Sequence, residues 1–141
     1  MNRQHEVWIV DDDRAIRWVL ERALEKEHLA TRSFDSADKV LARLEKFEPD
    51  VIITDIRMPG TDGLALLQSV QDTHPNLPVI IMTAYADLER AVAAFRGGAF
   101  EYLPKPFDVD DVIAIVRRAL RKAAADAAAS AAEEDAVGTA V

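Results

Sequence analysis

The sequence predicts an α/β domain in which five parallel strands form one doubly wound sheet with helices on both faces. Two observations predict it. Short apolar runs recur five times, and each is followed by a segment whose apolar residues repeat at helical spacing. The run Val51-Ile52-Ile53-Thr54-Asp55 is mostly β-branched and is closed soon after by Pro59-Gly60, as in a buried strand of a parallel sheet. Asp55 is thereby placed at a strand's carboxyl end, the end at which open α/β sheets bind their ligands.

The first strand is Glu6 to Val10, and three acids follow it, Asp11, Asp12 and Asp13. Ile16, Val19, Leu20, Ala23 and Leu24 then mark the inner face of a helix, with Trp18 near the opposite, exposed side. A weaker second strand fits Leu29 to Phe34. Ser36 is placed to cap the next helix, whose stripe is Val40, Leu41 and Leu44. After the strand to Asp55, a third helix carries Leu64, Leu66, Leu67 and Val70 and is broken by His74-Pro75.

The fourth strand, Val79 to Met82, ends at Thr83. Asp87 is placed to cap a helix with Leu88, Ala91, Val92 and Phe95 on one side, stopped by Gly97-Gly98. A short fifth strand near Phe100 to Leu103 ends at Lys105. The fifth helix starts near Asp108 with Val109, Val112, Ile113, Val116 and Leu120 inward. Residues 1–122 make up the folded domain. Residues 123–141 are Ala-rich and form a helical extension or a disordered linker, because Ala favours helix but cannot build a core.

Composition narrows the function. The formal net charge of −8 argues against nonspecific nucleic-acid binding by this chain. There is no cysteine, hence no disulfide framework or thiol chemistry. No apolar run approaches the ~18 residues of a membrane span, and no signal-peptide pattern is present, so a cytoplasmic location and no membrane partner are the default expectation.

Four strands end in reactive or charged groups: Asp11-Asp12, Asp55, Thr83 and Lys105. Carboxylates brought together from two strands repel and need a cation. Lys105 supplies one charge, and a divalent metal supplies two. With no Cys, and no His near these ends, the oxygen donors suit Mg²⁺, which shares its shell with waters and phosphoryl oxygens. A carboxylate beside Mg²⁺, an ammonium and a hydroxyl is equipped to form an aspartyl phosphate. No Gly-rich phosphate loop of Walker or Rossmann type is present.

Together, Asp11-Asp12, Thr54-Asp55-Ile56-Arg57-Met58-Pro59-Gly60 with Asp62-Gly63, Thr83-Ala84, and Tyr102-Leu103-Pro104-Lys105-Pro106-Phe107 resemble a response-regulator receiver domain over about Val7 to Leu120. The stretches around Asp11 to Leu24 and Gly98 to Asp108 are similar to receivers of nitrogen regulators of the NtrC family. The resemblance implies a flavodoxin-like, CheY-like (βα)5 fold with strand order 2-1-3-4-5. It implies Asp55 as phosphoacceptor, and Mg²⁺ held by Asp12, Asp55 and the backbone carbonyl of Arg57, with Asp11 acting chiefly through water. It also implies Lys105 contacting the phosphoryl group, a cis Lys105–Pro106 peptide, and Thr83 with Tyr102 as a coupled switch pair. A sensor histidine kinase is the implied donor, phosphorylation-dependent homodimerisation is plausible, and DNA is reached only through a domain absent from this chain. The chain is then a self-phosphorylating acceptor that loses its phosphate slowly, not a turnover enzyme.

Other readings carry weight residue by residue. Singly, Thr83 is a plain strand end, Lys105 a solvated lysine and Tyr102 a half-buried strand aromatic. Asp13 ranks below Asp11 and Asp12. His5, His28 and His74 lack metal spacing. Arg117-Arg118 with Arg121-Lys122 fits the solvated, C-terminal face of a helix better than a nucleic-acid patch. Two alternatives to an NtrC-type activator are a stand-alone receiver or phosphorelay intermediate and, more remotely, a Mg²⁺-dependent phosphatase with an aspartyl nucleophile. The phosphatase tends to have a second acid two residues after the nucleophile, where this chain has Arg57.

Overall fold

The computed structural model describes residues 4–139, with the side chains of Tyr85 and of residues 130–139 outside the description. Five strands and five helices alternate: β1 Glu6–Val10, α1 Arg14–Glu25, β2 Ala30–Phe34, α2 Ala37–Leu44, β3 Val51–Asp55, α3 Gly63–Thr73, β4 Val79–Thr83, α4 Leu88–Arg96, β5 Glu101–Pro104 and α5 Val109–Thr139, with a single 3₁₀ turn at Tyr85–Asp87. All pairings are parallel, in the order β2-β1-β3-β4-β5. The order reverses between β1 and β3, so the crevice of this sheet lies between the ends of those two strands.

Strand parity divides the core. Trp8, Val10, Ile52, Val79 and Ile81 face one side, against Ala37, Val40 and Leu44 of α2, Leu66, Leu67 and Val70 of α3, and Ala91 and Ala94 of α4. Val7, Ile9, Val51, Ile53, Ile80 and Met82 face the other, against Leu20 and Leu24 of α1 and Val112, Val116 and Ala119 of α5. Each fully buried Val, Leu or Ile contributes about 1.5–3 kcal/mol. Alternate side chains thus anchor the three central strands on both faces, and their carboxyl ends form a stiff platform.

Of the two expected helix caps, Ser36 holds and Asp87 does not, and Asp13 and Asp62 act as further caps. Asp13, Ser36 and Asp62 cap α1, α2 and α3, accepting from the backbone N–H of Ala15, Lys39 and Ala65. Asp87 occupies the N-cap of α4 but makes no side-chain cap bond, because its carboxylate is taken by Arg57. Two apolar positions also depart from the expected stripes: Val19 and Phe95 are 37% and 43% exposed. Trp18 is exposed as expected, with the Arg22 guanidinium above its ring. Arg117, Arg118 and Lys122 lie within α5, not at its end. They pair with Glu27, Glu101 and Asp126, which fits a solvated face and removes the helix-end role. The Ala-rich segment is helical to Thr139, and its last two residues lie outside the described ones.

Candidate functional site

Three carboxylates meet at the β1/β3 crevice. Asp11, Asp12 and Asp55 each bring an oxygen within 4.8 Å of the others. Asp11 is fully buried and fixed on every side. Its Oδ1 accepts from the Asp13 N–H at 2.8 Å, its Oδ2 from the Lys105 ammonium at 3.0 Å, and its backbone carbonyl from Arg17 Nη1 at 2.7 Å. Asp12 is exposed at the mouth, and Asp55 is partly buried on the last residue of β3.

Lys105 lies 3.4 Å from Asp55 Oδ2 and so bridges the two strand ends. Its backbone N–H donates to the Thr83 carbonyl at 2.7 Å, and the Lys105–Pro106 peptide that follows is cis.

The electrostatics follow from crowding. Burial, then the neighbouring Asp11 carboxylate, push the Asp55 carboxyl above its ordinary value of 3.8, against the pull of Lys105. For Lys105, burial disfavours the charged form. The hydrogen bond and charge of Asp11, with Asp55 behind them, outweigh it and raise the ammonium above 10.5. One ammonium pairs with two of the three acids, Asp11 and Asp55, and the cluster keeps an excess of negative charge. Its donors are hard carboxylate oxygens, with no nitrogen or sulfur ligand among the cluster, which fits a hard divalent cation better than zinc or copper.

The β3–α3 connection is built tightly under Asp55. The Gly63 N–H donates to the Ile56 carbonyl at 2.8 Å, and a Cβ on Gly63 would stand 2.1 Å from the Asp55 carbonyl oxygen. Only glycine allows this approach. Beside the acids, a cleft of about 600 Å³ is lined by Asp12, Arg57, Met58, Pro59, Asp62 and Arg90. A slightly larger cleft, about 630 Å³, lies among Glu6, Phe47, Asp50, Leu77 and Ala123, and none of the strand-end residues above lines it.

The remaining site candidates lie on β4 and β5, in different settings. Thr83 is buried, and its hydroxyl donates to the Ala84 carbonyl at 3.0 Å. Tyr102 is half-buried on β5, with its ring edge-on to Phe95 at 6.1 Å. Arg57 was expected to contribute only a backbone carbonyl. Its side chain forks onto the buried Asp87, and Arg90 joins the group through Asp87 at 3.7 Å and Asp62 at 3.0 Å. Sequence spacing offers no rule that pairs positions 57 and 87, which lie on separate loops.

Residues 7–117 match the sequence profile of the response regulator receiver domain. The chain belongs to that family. Among curated proteins, this receiver is 58% identical over 114 residues to the DNA-binding transcriptional regulator NtrC of Salmonella typhimurium, covering 81% of this chain and 24% of that one. It is 38% identical over 122 residues to the C4-dicarboxylate transport transcriptional regulatory protein DctD of Rhizobium meliloti, covering 86% and 26%. The receiver spans about a quarter of the length of these relatives. Among solved structures, NtrX from Brucella abortus superposes with a TM-score of 0.85 at 34% identity, covering 91% of this chain and 30% of that one. A response regulator receiver domain protein from Clostridium thermocellum gives 0.80 at 29% identity, covering 84% and 95%. The five-stranded order and helix count are those of the flavodoxin-like receiver fold. Among the described residues no helix is long and apolar enough to cross a membrane.

Proposed function

We propose that this receiver takes a phosphoryl group onto Asp55 from the phosphohistidine of a sensor histidine kinase, in the presence of Mg²⁺, and passes the event to an NtrC-type activator. The observation that carries the proposal is the meeting of Asp11, Asp12 and Asp55 with the Lys105 ammonium 3.4 Å from Asp55.

In the transfer, an Asp55 carboxylate oxygen attacks phosphorus in line. The P–N bond breaks, its electron pair returns to the imidazole nitrogen, and that nitrogen takes a proton from solvent. Asp12, Asp55 and the Arg57 carbonyl would hold Mg²⁺, with Asp11 acting chiefly through water. When bound, the ion offsets the charge of the acids and of the phosphoryl oxygens. Lys105 moves from the carboxylate to a phosphoryl oxygen, a short step from its present position between Asp11 and Asp55.

The Thr83 hydroxyl leaves the Ala84 carbonyl for the phosphoryl group. Tyr102 follows into the vacated space, and the α4–β5 surface changes. This is a shift between two existing states, biased by charge-assisted hydrogen bonds. The altered face is where a second phosphorylated copy docks. Water later cleaves the acyl phosphate slowly, with no turnover of outside phosphate esters.

A relative about four times longer than the match is named a DNA-binding transcriptional regulator, which supports an output through a DNA-binding module; an ATPase module and a cytoplasmic nitrogen-regulatory two-component setting are part of the same proposal. Arg57 two residues beyond Asp55, with its guanidinium committed to Asp87, is poorly suited to the acid–base role of the phosphatase alternative.

The test is uptake of label from acetyl phosphate or from a phosphorylated kinase with Mg²⁺. The native chain should take about one label per molecule and Asp55→Asn none. Label on the Asn variant, or no uptake by either protein, overturns the proposal.

A further inference from the structure

We infer that Gln71 is the positioning residue that clamps the C-terminal end of α4 and so sets the pivot of the switch. The inference rests on the phosphorylation reading above for its role in signalling, and on geometry alone for the clamp.

α4 is weakly anchored by its core face. Its two buried residues are alanines, Ala91 and Ala94, while Phe95 is 43% exposed. Two buried methyl groups, with Leu88 and Val92 only half-buried, remove less apolar area from water than a full aliphatic face, so polar contacts weigh more in where the helix sits. These contacts reach it from the β3–α3 side and differ at its two ends. At the N-terminal end they are ionic: Arg57 on Asp87, and Arg90 on Asp62. At the C-terminal end the contact is neutral: the Gln71 Nε2 amide on α3 donates to the Gly97 carbonyl at 3.0 Å. Carbonyls at a helix C-terminus lack intrahelical partners, and this amide satisfies one.

The chain makes room for that bond. Gly98 has φ +126°, and a Cβ there would lie 1.6 Å from Gln71 Nε2. Any side chain at 98 would therefore displace the amide, quite apart from the backbone strain. The loop beyond leads directly into β5 and to Tyr102, whose ring meets Phe95 on the last turn of α4. New charge at Asp55 acts on the ionic end of α4, where Arg57 and Arg90 line the cleft next to Asp12, one of the acids clustered with Asp55. It has little purchase on a neutral amide–carbonyl bond. The helix therefore swings about Gly97, and the Phe95–Tyr102 contact lies beside the pivot.

The experiment compares the whole chain with Gln71→Leu, which removes the donor, Gln71→Lys, which keeps one, and Gly98→Ala, which pushes the amide away from the other side. Amide exchange is measured in the unphosphorylated proteins. Gln71→Leu and Gly98→Ala should exchange about five- to tenfold faster at Gly97, Gly98 and Ala99, the effect of losing one such bond. The amides of Leu66 and Val70 should keep their native rates. Gln71→Lys should recover most of the protection, and the Tyr102 ring resonances should shift in Gln71→Leu and return in Gln71→Lys.

Native rates at Gly97 to Ala99 in Gln71→Leu overturn the clamp, as does acceleration spread evenly over α3 and α4. Label uptake is read on the same samples. Absence of uptake by the native chain overturns the phosphorylation reading and leaves the exchange result standing. Uptake together with unchanged exchange overturns the clamp alone.

Discussion

The Arg57 guanidinium grips the Asp87 carboxylate with two hydrogen bonds, Nε to Oδ2 at 2.5 Å and Nη2 to Oδ1 at 2.8 Å. The carboxylate is 97% removed from solvent while the guanidinium remains largely exposed. A bidentate pair of this kind fixes direction as well as distance. It ties the loop after β3 to the start of α4. The Arg57 hydrogen bond holds the Asp87 carboxyl below its ordinary 3.8, with burial opposing it and the charges of Arg57 and Arg90 adding to it.

The sign of the pH effect follows. A carboxyl depressed in the folded state adds stability above its unfolded value and loses that contribution as pH falls through the folded one. Asp87→Asn should therefore melt at a lower temperature than the native chain at pH 7. The two curves should converge as the pH is taken from about 4 downward. A melting series from pH 7 to pH 3 checks this.

Asp55 has the opposite sign. Its folded value is raised above 3.8, so its ionised form costs stability at neutral pH and the cost disappears below 3.8. Asp55→Asn should be more thermostable than the native chain at pH 7, with the gain fading on acidification. Mg²⁺ should reverse part of the order, because an ion bound only by the folded state at one hundred times its Kd stabilises by about 2.7 kcal/mol. Thermal melts with and without Mg²⁺, with Asp12→Ala as the non-binding control, measure the difference.

Lys105→Met leaves Asp11 buried with its charge unmatched. Removing one member of a buried pair costs about 3–5 kcal/mol. The ammonium here is 23% exposed, so the loss should fall toward the lower end. Adding Asp11→Asn should recover much of it, and a double-mutant cycle by urea unfolding gives the coupling.

Gly63→Ala and Gly97→Ala should separate clearly. At 63 the new methyl overlaps the Asp55 carbonyl, and the backbone of the phosphoacceptor must move. At 97 the nearest atom outside the adjacent residues is the Ala93 carbonyl oxygen at 3.3 Å, and the helix needs only a small adjustment. Urea unfolding should show a change within about 1 kcal/mol at 97 and a larger loss at 63. Label uptake should fall sharply only for Gly63→Ala.

The fold was legible because local and global signals agree. The β-branched runs, the cap at Ser36 and the Gly97-Gly98 stop each have a short-range cause, and the structure places the elements within a residue or two of the expected ranges. The acid cluster with Lys105 was legible too, since strand-end residues of a parallel sheet have nowhere else to point. Side chains that answer to partners far along the chain were not legible. Asp87 looked like a cap because its local setting is that of a cap, and a guanidinium thirty positions away outcompetes the helix N–H groups. Phe95 fell on the expected stripe, yet the buried residues of α4 are Ala91 and Ala94, Leu88 and Val92 are half-buried, and Phe95 is largely exposed with its ring against Tyr102. Gln71 gave no signal at all, since its partner is a backbone carbonyl that exists only once two helices are packed.

The alternation of the central strands between two packed faces has a consequence for indels. Deleting one residue inside β3, Ile53 for example, exchanges the odd and even positions beyond it. An aliphatic chain then stands where the acid should project, and every later contact of that strand is turned over. Length change in the loop between Phe47 and Asp50 leaves that count intact. Odd-numbered insertions should therefore be well borne at the amino-terminal edge of the sheet and ruinous a few residues later.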